Sequence, residues 1–240
     1  MDYLADLINK TAPCKNRFVV TESVFSTEGS IAPFDEIYRL SLENDIIPFI
    51  DDSHGIGVIG KSGKGILEEK HISHYEGIYT ASTGKAPGVS GGFVSSNSQI
   101  IDYLKYSAPG LIYSTAIPPV LISGIIKALE IISRDGKNMT QTLSDNKHYL
   151  YDHLQKNNFN LTHSEACICS LISGSNDNTF RICKALFDEK ILTTPFIYPS
   201  VAKNKGIIRM IPRIDLNHEQ MDHVIRSFIK IRDLNPELFK

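Results

Sequence analysis

Three short runs hold most of the residues that could do chemistry: Thr21-Glu-Ser-Val-Phe-Ser26, Phe49-Ile-Asp51-Asp-Ser-His54-Gly55 and Ser82-Thr-Gly-Lys85-Ala-Pro-Gly88-Val-Ser-Gly-Gly92. Each follows a stretch with strand character. In a parallel sheet such loops converge at the carboxyl edge, where α/β proteins build their sites. A lysine among small residues can bond covalently to an aldehyde once it is desolvated, and its neighbours leave room for a ring. An acid at a strand end can face a pyridine nitrogen and keep it protonated, which makes the ring an electron sink. Lys85, Asp51 and His54 together would therefore suit a pyridoxal phosphate site. Each also has an ordinary explanation: a strand-end Asp as a cap, a lone His as a structural group, a Lys beside Gly as a solvated side chain. Spacing alone leaves both readings open.

The elements that must position these loops are legible as alternating patterns. Arg17–Ser23, Ile46–Asp51, Gly77–Ser82 and Gly91–Ser96 read as strands, the second continuous and apolar as in a sheet buried on both faces. Phe34–Asn44 carries a helical stripe at Phe34, Ile37, Tyr38 and Leu42, and Ile100–Ser107 reads as a short helix. Strands separated by helices predict an α/β layer fold. After Pro118-Pro119 the pattern changes. Val120–Arg134 reads as a long apolar helix and Thr140–Lys156 as a second, amphipathic one. Short strands follow around Ala166–Ser173 and Gly206–Pro212, with helices near Asn178–Glu189 and His218–Leu234, the last capped by Asn217. The expected division is a large domain over residues 1–134, including the long connecting helix, and a smaller α+β domain over 135–240.

Composition narrows the function classes. A formal charge of −2 with scattered basic residues gives no nucleic-acid footprint, and 27 Gly and Pro in 240 residues are too few for a disordered chain. No apolar run reaches membrane-spanning length, because Pro118, Pro119, Lys127 and Glu130 interrupt the longest. The amino terminus lacks a basic start before an apolar core, so a reducing cytoplasm is the expected location. In that setting the triplets Asn138-Met-Thr and Asn160-Leu-Thr read as chance matches. Cys167 and Cys169, two apart, are expected to share a strand face as small hydrophobes; a metal site with His163 would lack a second ligand pair. Gly55-Ile-Gly-Val-Ile-Gly60-Lys61-Ser62 fits the phosphate-loop formula and, by its glycines, the dinucleotide fingerprint. Both require the loop to open directly into a helix. Gly63-Lys64-Gly65 would weaken such a helix, so the run reads as a turn after a strand.

Five stretches, in order, make the chain resemble the α-oxoamine synthase family of fold-type I pyridoxal-phosphate enzymes. They are Val20–Pro33, Ile50–Gly60, Ser82–Gly92, Tyr113–Pro119 and Ile208-Arg-Met. The resemblance implies the aspartate aminotransferase-like fold and pyridoxal 5'-phosphate as cofactor. It implies that Lys85 holds the cofactor and moves the substrate's α-proton, that Asp51 partners the pyridine nitrogen, and that His54 donates to the ring's phenolic oxygen. Ser26 corresponds to a serine near that oxygen. Ser82, where the family usually has Thr, would bond the phosphate. Ser114 and Thr115 resemble a segment reaching the phosphate from the neighbouring subunit of a homodimer. Arg209 resembles the arginine that binds the substrate carboxylate. The implied reaction joins an amino acid to the acyl group of an acyl-coenzyme A, normally with loss of carbon dioxide, and two of the stretches lean toward the biotin-pathway branch.

The resemblance begins partway into the family's pattern, with residues 1–16 matching only the end of the preceding region. The large-domain sheet is therefore expected to lack its amino-terminal strands and to expose apolar surface. Pro87 is a further departure from the usual lysine loop. Two expectations follow: a catalytic portion that works with a separately supplied amino-terminal half, or an inactive truncated remnant or interaction module pairing with a full-length relative.

Overall fold

The computed structural model describes residues 1–11 and 14–239, and the chain divides into two compact units. The first contains residues 1–24 and 32–140. The second contains residues 25–31 and 141–240. Both are mixed α and β, the class expected from the alternating pattern.

In the first unit, α1 (Asp2–Lys10) leads to β1 (Phe18–Glu22), α2 (Phe34–Glu43), β2 (Ile47–Asp51), the single-turn α3 (Ile66–Glu69), β3 (Ile78–Ser82), β4 (Gly92–Ser95), α4 (Ser98–Ser107) and α5 (Pro109–Ile112). The sheet order is β1-β2-β3-β4; β1, β2 and β3 are parallel and β4 is antiparallel to β3. The carboxyl ends of the three parallel strands therefore share one edge, as the loop pattern predicts. Register puts Glu22 beside Asp51 and Asp51 beside Thr80 at that edge. Phe34, Ile50, Ile66 and Val24 are fully buried and form the centre of this unit's core. The expectation that β2 is buried on both faces is only half met. Pro48 and Ile50 are buried, whereas Ile47, Phe49 and Asp51 on the other face are half-buried. The edge strand β1 exposes Phe18 by 52% and Val20 by 66%.

The helix α6 (Pro119–Lys156) is continuous over 38 residues, where two helices were expected. Asp135-Gly136 looks like a stop in the sequence, but Gly136 serves close packing instead: a Cβ there would sit 2.1 Å from the Ser62 carbonyl oxygen. Thr140 donates its hydroxyl to the Lys61 carbonyl at 3.2 Å, which fastens the same stretch. Among the described residues, no helix is long and apolar enough to cross a membrane.

The second unit folds around an antiparallel sheet of β5 (Cys169–Gly174), β6 (Thr194–Phe196) and β7 (Gly206–Met210), in the order β5-β7-β6. Its helices are the end of α6, α7 (Asn176–Asp188) and α8 (His218–Leu234). Leu150 and Leu154 of α6, Leu171 of β5, Ile182 and Leu186 of α7, Ile208 of β7 and Phe228 of α8 form one buried cluster. Asn217 caps α8 in a reciprocal capping box with Gln220, 2.9 Å and 3.0 Å for the two bonds. Cys169 opens β5 and lies in this core. Cys167 precedes the strand, so the expected shared strand face does not form. Burial pushes the thiols up, Cys167 to about 11 and Cys169 to about 12, where neither is a nucleophile at neutral pH.

The glycine loop after β2 is occupied by the chain itself. Its amides bond to Glu69 (from Gly60), Glu68 (from Ser62 and Lys64) and Asp52 (from Ile66), at 2.9–3.1 Å. Gly57, Gly63 and Gly65 donate to backbone carbonyls. The helix that follows has only four residues. Amides satisfied by the protein's own carboxylates do not form a phosphate cradle.

Candidate active site

Asp51 ends β2 and Asp52 follows it with its N–H still bonded to the Thr80 carbonyl, so the alternation of extended backbone sends the two aspartates to opposite faces. Asp52 is fully buried. It accepts the Ile66 N–H at 2.9 Å and the Tyr79 hydroxyl at 2.6 Å. Burial raises its pKa more than the Ser23 and Tyr79 hydroxyls and the Ile66 N–H lower it, and the Asp51 charge adds to the rise. It is a structural acid. Asp51 lines an open cleft of about 690 Å³ with Ser53, Ser82, Phe93, Leu104 and Leu111 among its walls. One Asp51 oxygen accepts the Ser53 N–H at 2.8 Å, closing a tight turn that carries the chain to His54.

The turn after β2 is tied to the loop after β3. The Ser53 hydroxyl accepts the Ser82 N–H at 2.8 Å. Ser82 Oγ faces its own loop, accepting the Gly84 N–H at 3.2 Å. This loop presents Lys85 at the surface, with Gly88 in the left-handed region at φ 72°. The Lys85 amine reaches His54 Nδ1 at 3.2 Å, and Glu22 Oε2 lies 3.4 Å from the same nitrogen. Four of the expected residues, Asp51, His54, Ser82 and Lys85, are thus assembled on neighbouring strand ends of one unit. Glu22 joins them without having been singled out. Its place at the end of β1, in register with Asp51, was the available signal.

Ser26 and Arg209 belong to the second unit, where Arg209 Nη1 donates to the Ser26 carbonyl at 2.8 Å. Burial lowers the Arg209 pKa from its ordinary value, and its Nε is buried with no hydrogen-bond partner. The segment around Ser26 is bonded along its backbone. The carbonyls of Thr27 and Glu28 accept the hydroxyls of Ser170 (2.6 Å) and Thr162 (3.0 Å), and that of Gly29 accepts two amides, of Glu165 and Ala166. Ser114 and Thr115 lie exposed between α5 and α6, with Ser114 Oγ donating to the Leu111 carbonyl at 3.3 Å.

The family model for aminotransferase class I and II matches residues 1–228. The 8-amino-7-oxononanoate synthase of Bacillus pumilus is 32% identical over 225 residues, covering 94% of this chain and 57% of that protein. That of Thermoanaerobacter pseudethanolicus is 31% identical, covering 90% and 54%. The solved serine palmitoyltransferase of Sphingomonas wittichii superposes with a TM-score of 0.88 at 19% identity, covering 96% of this chain and 59% of that one. The fold is the fold-type I, aspartate aminotransferase-like one, and the relatives agree with the α-oxoamine synthase resemblance read from the motifs. The chain spans little more than half the length of the curated relatives it matches.

Proposed function

Because the chain belongs to the aminotransferase class I and II family, we propose that it carries the lysine-bearing portion of a pyridoxal-phosphate-dependent acyltransferase. The reaction would join an amino acid to the acyl group of an acyl-coenzyme A and release carbon dioxide. The observation that carries this reading is the contact of Lys85 with His54 at the edge where Asp51 and Glu22 also end their strands.

The donor set fits the cofactor. The Lys85 amine is exposed where a desolvated one was expected, but held beside an imidazole it is accessible to an aldehyde; a strand-end carboxylate lining a cleft suits a pyridine nitrogen, and an imidazole suits a phenolic oxygen. The bound cofactor would supply an electron sink for the substrate's α-carbon. Lys85 would hold it and move the α-proton, Asp51 would keep the pyridine nitrogen protonated, and His54 would orient the ring. Ser26 and Ser82, with Ser114 and Thr115 from a second subunit, would complete the cofactor contacts. Arg209 would bind the amino acid's carboxylate. Residues 1–134 would form part of a large cofactor domain and 135–240 a small one, working as a homodimer or with a complementing amino-terminal half.

A second reading is favoured by Phe18 and Val20, which stand exposed on an edge strand of a mostly parallel sheet. Parallel sheets bury both faces and edges of this kind seek a partner strand. On that reading the chain is an inactive interaction module. The deciding experiment is borohydride reduction of the chain with pyridoxal phosphate, followed by peptide mass spectrometry. A reduced adduct concentrated on Lys85 and absent in Lys85→Ala supports the catalytic reading. Adducts spread over surface lysines, with none favoured at Lys85, support the interaction module.

A further inference from the structure

In the second unit's sheet, Arg209 of β7 is paired with Ser170 of β5 on one side and Thr194 of β6 on the other. Phe196, two residues beyond Thr194, lies diagonally across from Arg209 on the same face. Its ring centroid is 4.8 Å from the guanidinium carbon. The guanidinium is thus fixed twice, by the Ser26 carbonyl on Nη1 and by the ring on its flat face. Ser170, its neighbour in the cross-strand row, donates to the next carbonyl, Thr27, so the strip that holds Arg209 is itself held from the same sheet face.

What remains is the side-on edge of the guanidinium, Nε with Nη2. This is the fork that takes a carboxylate through two parallel bonds. Nε is a buried donor with no hydrogen-bond partner, a costly state that an anion would relieve. An arginine whose plane is set in advance loses less rotamer freedom when the anion arrives. An aromatic ring sets the plane better than an aliphatic side chain, because its electron-rich face attracts the cation as well as supporting it.

We propose that Phe196 is a positioning residue for carboxylate recognition: its ring and the Ser26 carbonyl hold Arg209 so that the Nε–Nη2 edge faces the carboxylate of an amino acid. This rests on the reading of Arg209 given above. The test follows the Arg209 Nε–Hε cross-peak of the ¹⁵N-labelled full chain, identified by its loss in Arg209→Lys, during titration with L-alanine. Phe196→Leu is expected to weaken binding about tenfold, converting to roughly 1.4 kcal/mol, and Phe196→Tyr to leave it within about twofold. Pentafluorophenylalanine at position 196 keeps the shape of the ring and reverses its electrostatics, so it guards against misfolding of the leucine variant; it is expected to weaken binding about threefold or more. Equal affinity across the wild type, Phe196→Leu and the fluorinated chain would overturn the positioning role while leaving Arg209 as the anion site. An Arg209 cross-peak that L-alanine does not move would overturn the carboxylate reading of Arg209 and this inference with it.

Discussion

The Lys85 amine and the Glu22 carboxylate approach one and the same nitrogen, Nδ1 of His54, at 3.2 Å and 3.4 Å. That nitrogen can accept from the lysine or donate to the glutamate, but not both at once. The imidazole therefore links an acid at the end of β1 to the amine after β3. His54→Ala should weaken capture of pyridoxal phosphate at Lys85 by about tenfold, the worth of one charge-assisted hydrogen bond. Glu22→Gln should weaken it less. Titration of the visible absorption band measures both, and unchanged curves for the two variants would separate this contact from cofactor binding.

Asp52 is expected to matter for folding and not for chemistry. Its pKa is raised in the folded chain, so the protonated form is the one the fold prefers. Its contribution is fully present below the unfolded carboxylate value and is lost as pH rises through the folded one. Asp52→Asn should therefore stay within about 1 kcal/mol of the wild type at neutral pH and flatten the decline in stability above the unfolded carboxylate range. Asp52→Ala strands the Ile66 N–H and the Tyr79 hydroxyl and should cost about 2–4 kcal/mol. Urea denaturation at pH 5 and pH 8 checks the pair.

Glu68 works in the opposite sense. Burial would raise it, but the Ser62 hydroxyl, the Ser62 and Lys64 amides and the Lys64 charge together hold it below the usual range. Stability from this group is present above the unfolded carboxylate value and disappears as pH falls through the depressed one. The side chain is partly exposed, so solvent screening keeps the contribution under about 1 kcal/mol. Thermal melts of the wild type and Glu68→Gln should differ near pH 7 and converge below about pH 4.

Gly29 cannot carry a side chain without damage. It sits at φ 86°, and a Cβ would lie 2.2 Å from Ser164 Oγ and 2.9 Å from Ile168 Cβ. Gly29→Ala should cost about 2 kcal/mol or more through strain and through the displaced Gly29 carbonyl, which two amides use. Hydrogen exchange at Glu165 and Ala166 should quicken in the variant, and unaltered protection there would contradict the packing described.

The strands of the first unit and β7 were legible to within a residue or two because each is a compact apolar run bounded by turn residues, whereas the strand read around Ala166–Ser173 begins three residues before β5. The helix α6 was not, because Gly136 in the sequence cannot reveal that it exists to let a carbonyl approach. The strand β6 escaped notice because it is three residues long and contains Pro195. Within the site, Lys85, Asp51 and His54 stood out by type and spacing. The distinction between Asp51 and Asp52 has a physical basis in strand alternation, but which face is open depends on what packs on the sheet. Glu22 and Phe196 became visible only through cross-strand register, which pairs Glu22 with Asp51, 29 residues on, and sets Phe196 diagonally across from Arg209, 13 residues on.

The strip from Phe25 to Ile31 is sequence-adjacent to β1 yet is counted with the second unit. A gene cut once, anywhere, therefore cannot deliver the second unit both whole and free of the first. An expression product beginning at Gln141 would leave the hydroxyls of Ser170 and Thr162, the Glu165 and Ala166 amides and the Arg209 guanidinium without the acceptors they use. Domain dissection of this protein calls for a circularly permuted or grafted design that brings the strip along.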